Sequence, residues 1–136
     1  MKTSLAVIIF AFSQLLFAQK TIPNAALKAF AEKFPNSSEV KWEKEGNEFE
    51  ASFTINNVKM SANFSSEGAW SETETTISAT ELPEAVGKAF KEKFPKHEVT
   101  AAAKIETPKG ITYEIEYKSG KKTKEIVFDA NGKTVK

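Results

Sequence analysis

The chain has 136 residues, with 19 lysines, no arginine, 18 acidic residues, one histidine and no cysteine, for a formal net charge of +1. That balance argues against a nucleic-acid partner, because such proteins carry a basic excess and use arginine for phosphates and base edges. Zero cysteines exclude disulfides, a thiol nucleophile and thiolate metal sites.

Lys2, an apolar run from Leu5 to Phe17 and the pair Ala18-Gln19 form the pattern of a secretory signal peptide over residues 1–18. The run is too short for a membrane span, which needs about 20 apolar residues. The expected product is an exported domain of residues 19–136, periplasmic or secreted, with no membrane span after cleavage. Loss of Lys2 leaves 18 lysines against 18 acidic residues. No polybasic cluster stands beside an apolar helix face, so a membrane-surface role is also disfavoured.

Ile22–Pro35 and Leu82–Pro95 are identical at nine of fourteen positions, which marks a duplication. The repeats are expected at residues 21–79 and 80–136. In each, a proline (Pro23, Pro83) suits a helix start, and another (Pro35, Pro95) stops the helix. Ala26, Ala29, Phe30 and Phe34, then Val86, Ala89, Phe90 and Phe94, form one apolar helix face.

Past each helix the period changes to two. Val40 and Trp42 form the first apolar row. Phe49, Ala51, Phe53 and Ile55 form the second, and Val58, Met60, Ala62 and Phe64 the third. In the second copy the rows are Val99, Ala101, Ala103 and Ile105, then Ile111, Tyr113, Ile115 and Tyr117, then Ile126 and Phe128. Glu45-Gly46-Asn47, Asn56-Asn57, Thr107-Pro108-Lys109-Gly110, Ser119-Gly120 and Asn131-Gly132 read as turns. The expected fold is α+β: two tandem α-β-β-β-β units forming one curved antiparallel sheet of about eight strands, both helices on one face. The eighth strand, Lys133 to Lys136, is short beside Trp70 to Ser78.

Such a sheet has one apolar and one polar face. Glu50, Lys59, Glu72, Glu74, Lys104, Glu114 and Glu116 are assigned to the open, polar face, as candidates for partner binding. Strict alternation puts Trp70 there too, as an aromatic anchor of the kind interfaces favour; a bulge would instead turn it into the core. Paired carboxylates can bind cations or do acid–base work, but lysines 41, 59, 104 and 118 are expected to balance them. His97 has no companions that would make it a base or a metal ligand. Asp129-Ala-Asn-Gly132 resembles the start of a calcium loop, yet the later ligands are missing and a turn fits better.

The duplicated helix, the short strands and Trp70-Ser-Glu-Thr-Glu-Thr75 resemble the PepSY-like family of exported bacterial proteins, described as beta-lactamase-inhibitor-like. The resemblance runs from Ile22 to the end of the chain. It implies a periplasmic or secreted domain with the two-repeat fold of beta-lactamase inhibitory protein, and brings no catalytic motif. This chain departs from that inhibitor in having no cysteine and a Thr/Glu/Lys-rich open face. The function expected is a non-enzymatic exported module, without cofactor or metal, that binds a protein or peptide on the open sheet face, in one form as an inhibitor of an exported hydrolase. The alternative is an envelope protein that binds a small molecule or metal ion through its acidic rows.

Overall fold

The computed structural model describes residues 21–135; the expected signal peptide lies outside them. Helix α1 spans Asn24–Lys33, and strands β1 to β4 span Ser38–Glu45, Glu48–Ile55, Val58–Phe64 and Trp70–Ile77. After a 3-10 turn at Ala79–Glu81 come helix α2 (Glu84–Lys93) and strands β5 to β7 (Val99–Thr107, Gly110–Ser119, Lys122–Asp129). Every strand pairs antiparallel with its neighbour in chain order, giving one seven-stranded sheet. The eighth strand is reduced to a bridge between Phe128 and Thr134 and a bond from the Val135 N–H to the Val127 carbonyl.

Each helix begins after its proline and ends at a phenylalanine, Phe34 or Phe94, that stands before the next one. Phe30 and Phe34 of α1 pack on Ala51, Phe53 and Phe64. Val86 and Phe90 of α2 pack on Ile115, Tyr117 and Phe128. The registers connect these positions: Ala51 lies opposite Ala62, Ala62 opposite Thr73, Thr73 opposite Glu106, and Glu106 opposite Ile111. Both helices therefore cover the same side of the sheet, hereafter the helix side.

The duplication extends to the turns. Ser65 Oγ accepts from the N–H groups of Glu67 and Ala69, and Asp129 Oδ1 accepts from those of Asn131 and Lys133. Asp129 is thus spent on a turn. Each turn then enters the left-handed region at a glycine, Gly68 (φ +84°) or Gly132 (φ +81°). A Cβ there would stand 2.6 Å from the Ala25 carbonyl oxygen or 2.5 Å from that of Ala85, in the first turn of the helix above. Backbone meets backbone at these points, so neither side can yield.

Three irregularities correct the predicted rows. In β1 the register shifts between Ser38 and Lys41, where Glu39 has φ +55°, and Val40 is left exposed while Trp42 joins the core. In β5 it shifts between Val99 and Ala101. Val99 stays on the helix side, but Ala101, Ala103 and Ile105 turn to the open face and Ala102, Lys104 and Glu106 take their place. The third, between Asn63 and Phe64, sets Trp70 opposite Phe64. A bulge adds one residue to one strand, and with a period of two that inverts every later side chain.

The glycines yield a graded prediction. Gly68→Ala and Gly132→Ala combine a left-handed φ with a backbone collision, and each should cost more than the ~1–2 kcal/mol of the left-handed conformation alone. Gly46→Ala, at φ +57° with nothing within 4 Å, should cost only that strain. Thermal melting of the three variants should rank Gly46→Ala as the mildest.

Candidate functional site

The sheet face away from the helices carries the charge. Glu43 lies opposite Glu50, Glu50 opposite Asn63, and Asn63 opposite Glu72. One row on, Glu74 lies opposite Ile105; the next row sets Ala103 against Glu114, and the next Glu116 against Glu125. With Glu45 opposite Glu48 at the first hairpin, the carboxylates form an oblique band from the β1–β2 end of the sheet to β6 and β7.

Three of these pairs, Glu43–Glu50, Glu45–Glu48 and Glu116–Glu125, set like charges directly across neighbouring strands. Such pairs destabilise a sheet. The middle of the band is also poorly solvated. Glu114 is 6% exposed, and Ile105 and Ala103 beside it on the same face are 5% and 7% exposed. Glu116 accepts from the Thr100 hydroxyl at 3.1 Å through one carboxylate oxygen, while the other is buried with no hydrogen-bond partner.

Burial and mutual repulsion raise the carboxyl pKa values. Burial first, then Glu125, Glu74, Glu72 and Glu116, push Glu114 up to about 8. Burial first, then a hydrogen bond with Glu45 and the charges of Glu45, Glu74 and Glu43, push Glu50 up to about 7. Glu72, Glu74 and Glu125 are raised by burial and by other glutamates. The charged neighbours that act on all five are glutamates.

Of the residues assigned to the open face, Glu50, Lys59, Glu72, Glu74, Glu114 and Glu116 share it by register. Lys104 and Trp70 do not. The β5 bulge carries Lys104 to the helix side, opposite Thr75 and Tyr113, where it pairs with Glu106 at 3.2 Å. It therefore cannot balance the acidic rows. Trp70 packs against the α1 cluster, donates from Nε1 to the Thr73 hydroxyl at 2.9 Å, and lies under the Lys33 amine at 4.0 Å from its ring centre. The sequence reading missed Glu43, Glu45 and Glu125 as members of the band. Counting back from the hairpins at Gly46 and Gly120 would have placed them opposite Glu50, Glu48 and Glu116.

His97 sits between the rings of Phe94 and Tyr117, with Nδ1 2.7 Å from the Lys118 carbonyl oxygen. Among the described residues no three acidic or histidine side chains converge to hold a metal ion, and no helix is long and apolar enough to cross a membrane.

The sequence model of a family described as "Putative beta-lactamase-inhibitor-like, PepSY-like" matches residues 13–59 and 47–136. Solved structures of Bacteroides proteins are similar. One from Bacteroides eggerthii, described as "putative periplasmic proteins", is 19% identical, with a TM-score of 0.80 over 86% of this chain and 88% of that one. A BLIP-like protein from Bacteroides fragilis is 24% identical, with a TM-score of 0.77 over 87% and 86%. A DUF2874 family protein from Bacteroides ovatus is 21% identical, with a TM-score of 0.78 over 86% of each chain. At these identities the likeness is one of fold. No curated protein matches the chain.

Raised carboxyl pKa values fix a sign for stability against pH. Between the ordinary 4.5 and about 8, the folded chain keeps protons on Glu114 that the unfolded chain has released. Stability must then fall as pH rises through that window. The melting temperature is expected to be higher at pH 5 than at pH 8, and Glu114→Gln should raise the pH 8 value and flatten the difference. Melts across that range check both.

Proposed function

Because the chain belongs to the PepSY-like, beta-lactamase-inhibitor-like family, we propose that it is a non-enzymatic binding module of the cell envelope. It engages a protein or peptide through the open face of its sheet. One observation carries this reading: that face holds cross-strand pairs of like charge and a buried, unpartnered carboxylate oxygen at Glu116. Folding alone gains nothing from such an arrangement, whereas a partner that supplies the missing donors would.

Other features agree. The chain has no cysteine, and its one histidine is engaged by a backbone carbonyl and two aromatic rings. The leader-like residues 1–18 and the description of the Bacteroides eggerthii relative support a periplasmic place of work. A metal-ion reading has less support, since the carboxylates are strung along a band and do not converge. If the partner is an exported hydrolase, occupation of the face would amount to inhibition.

Affinity capture from the exported proteins of the parent organism tests the reading. Three baits are compared: the native protein, Glu72→Lys/Glu74→Lys on the open face, and Glu32→Lys/Glu92→Lys on the helices. The same partner should be held by the first and third baits and lost from the second. Retention by all three, or by none, contradicts the proposal.

A further inference from the structure

We infer that the partner presents an extended lysine- or arginine-rich segment, which lies along the oblique carboxylate band with Glu114 as its buried anchor. This rests on the binding reading above and adds the chemistry of what is bound.

Glu114 points to a ligand by itself. It is more than nine-tenths buried on a face that no described helix covers. The charges that act on it are those of Glu125, Glu74, Glu72 and Glu116. A carboxylate withdrawn from water in this way is costly unless a donor or a counter-charge reaches it. The second oxygen of Glu116, one step along the same strand face, is buried with no hydrogen-bond partner. The missing groups are donors of positive charge, and lysine and arginine side chains offer donors only.

The surroundings narrow the choice. Ala103 and Ile105 form a buried apolar floor next to Glu114, and Val127 lies opposite it on β7. Lysine and arginine lay their methylene stems on such surface while the charged end reaches a carboxylate. A small inorganic cation would have no use for the floor. The band also has length. Across the strands, from β2 to β7, it spans five spacings of about 4.8 Å, roughly 24 Å, before its slant is counted, so an extended chain needs at least about seven or eight residues to cover it.

Calorimetric titration with octalysine, octaglutamate and spermine tests the inference on the native protein, on Glu74→Gln/Glu114→Gln and on the helix-surface control Glu32→Gln/Glu92→Gln. One octalysine should bind per native chain. The face variant should weaken it by about tenfold or more, as loss of charge partners does at interfaces, and the helix control should leave it unchanged. Octaglutamate should not bind, and spermine should bind much more weakly than octalysine. The face variant removes repulsion, so its melting temperature should be at or above that of the native protein at pH 8, which separates lost binding from lost folding.

Failure of octalysine to bind overturns the inference. Equal binding to all three proteins does so too, as would spermine matching octalysine. If octalysine fails while a captured partner still depends on Glu72 and Glu74, the basic segment is wrong and the open-face reading stands. If both fail, both are wrong.

Discussion

Phe30 and Phe90 are the pegs on which the molecule hangs. Phe30 meets Phe34, Trp42 and Phe53 with ring centres 5.0 to 5.5 Å apart, and Phe90 meets Phe94 and Tyr117 at 5.4 and 5.6 Å. Removing a ring of this kind from a core costs about 3–5 kcal/mol. Because both rings press on the same side of one sheet, both helices are fixed there. Each strand must then send its alternate side chains to a face that receives no helix.

What occupies that face does not follow from folding. A neutral row of serines and threonines would have satisfied the alternation, as Ser52, Ser61 and Thr76 do. The strands bring glutamates together instead, three times in direct cross-strand pairs. The net charge of +1 hides this, because several lysines lie elsewhere: Lys28, Lys33, Lys88, Lys91 and Lys93 on the helices, and Lys104 on the helix side of β5, while Lys41, Lys59 and Lys118 share the open face by register. Charge segregation of this kind weakens the folded state on its own, and proteins keep such features where function needs them.

Much of the fold was legible because it is written twice. The repeated Pro-x-Ala and Phe-Pro signals bracketed both helices, and Asn56-Asn57, with φ of +51° and +64°, announced a tight hairpin. The errors all come from inserted single residues. Nothing in the chemistry of Glu39, Thr100 or Ser71 declares a bulge, yet each shifts parity downstream. That is why Lys104 was set among the acidic rows it leaves, and why strict alternation put Trp70 on the open face, whereas the bulge that was its alternative turns the indole to Thr73 on the helix side. The carboxylates on β2 and β6 escaped this error because those strands follow tight turns without a bulge between.

The open-face glutamates are held close together and partly out of water, so that burial and mutual repulsion raise their pKa values. Carbon-13 NMR titration of the glutamate carboxyl groups reads this directly. Midpoints of about 7 for Glu50 and about 8 for Glu114 are expected. Midpoints for both near the ordinary 4.5 would contradict it.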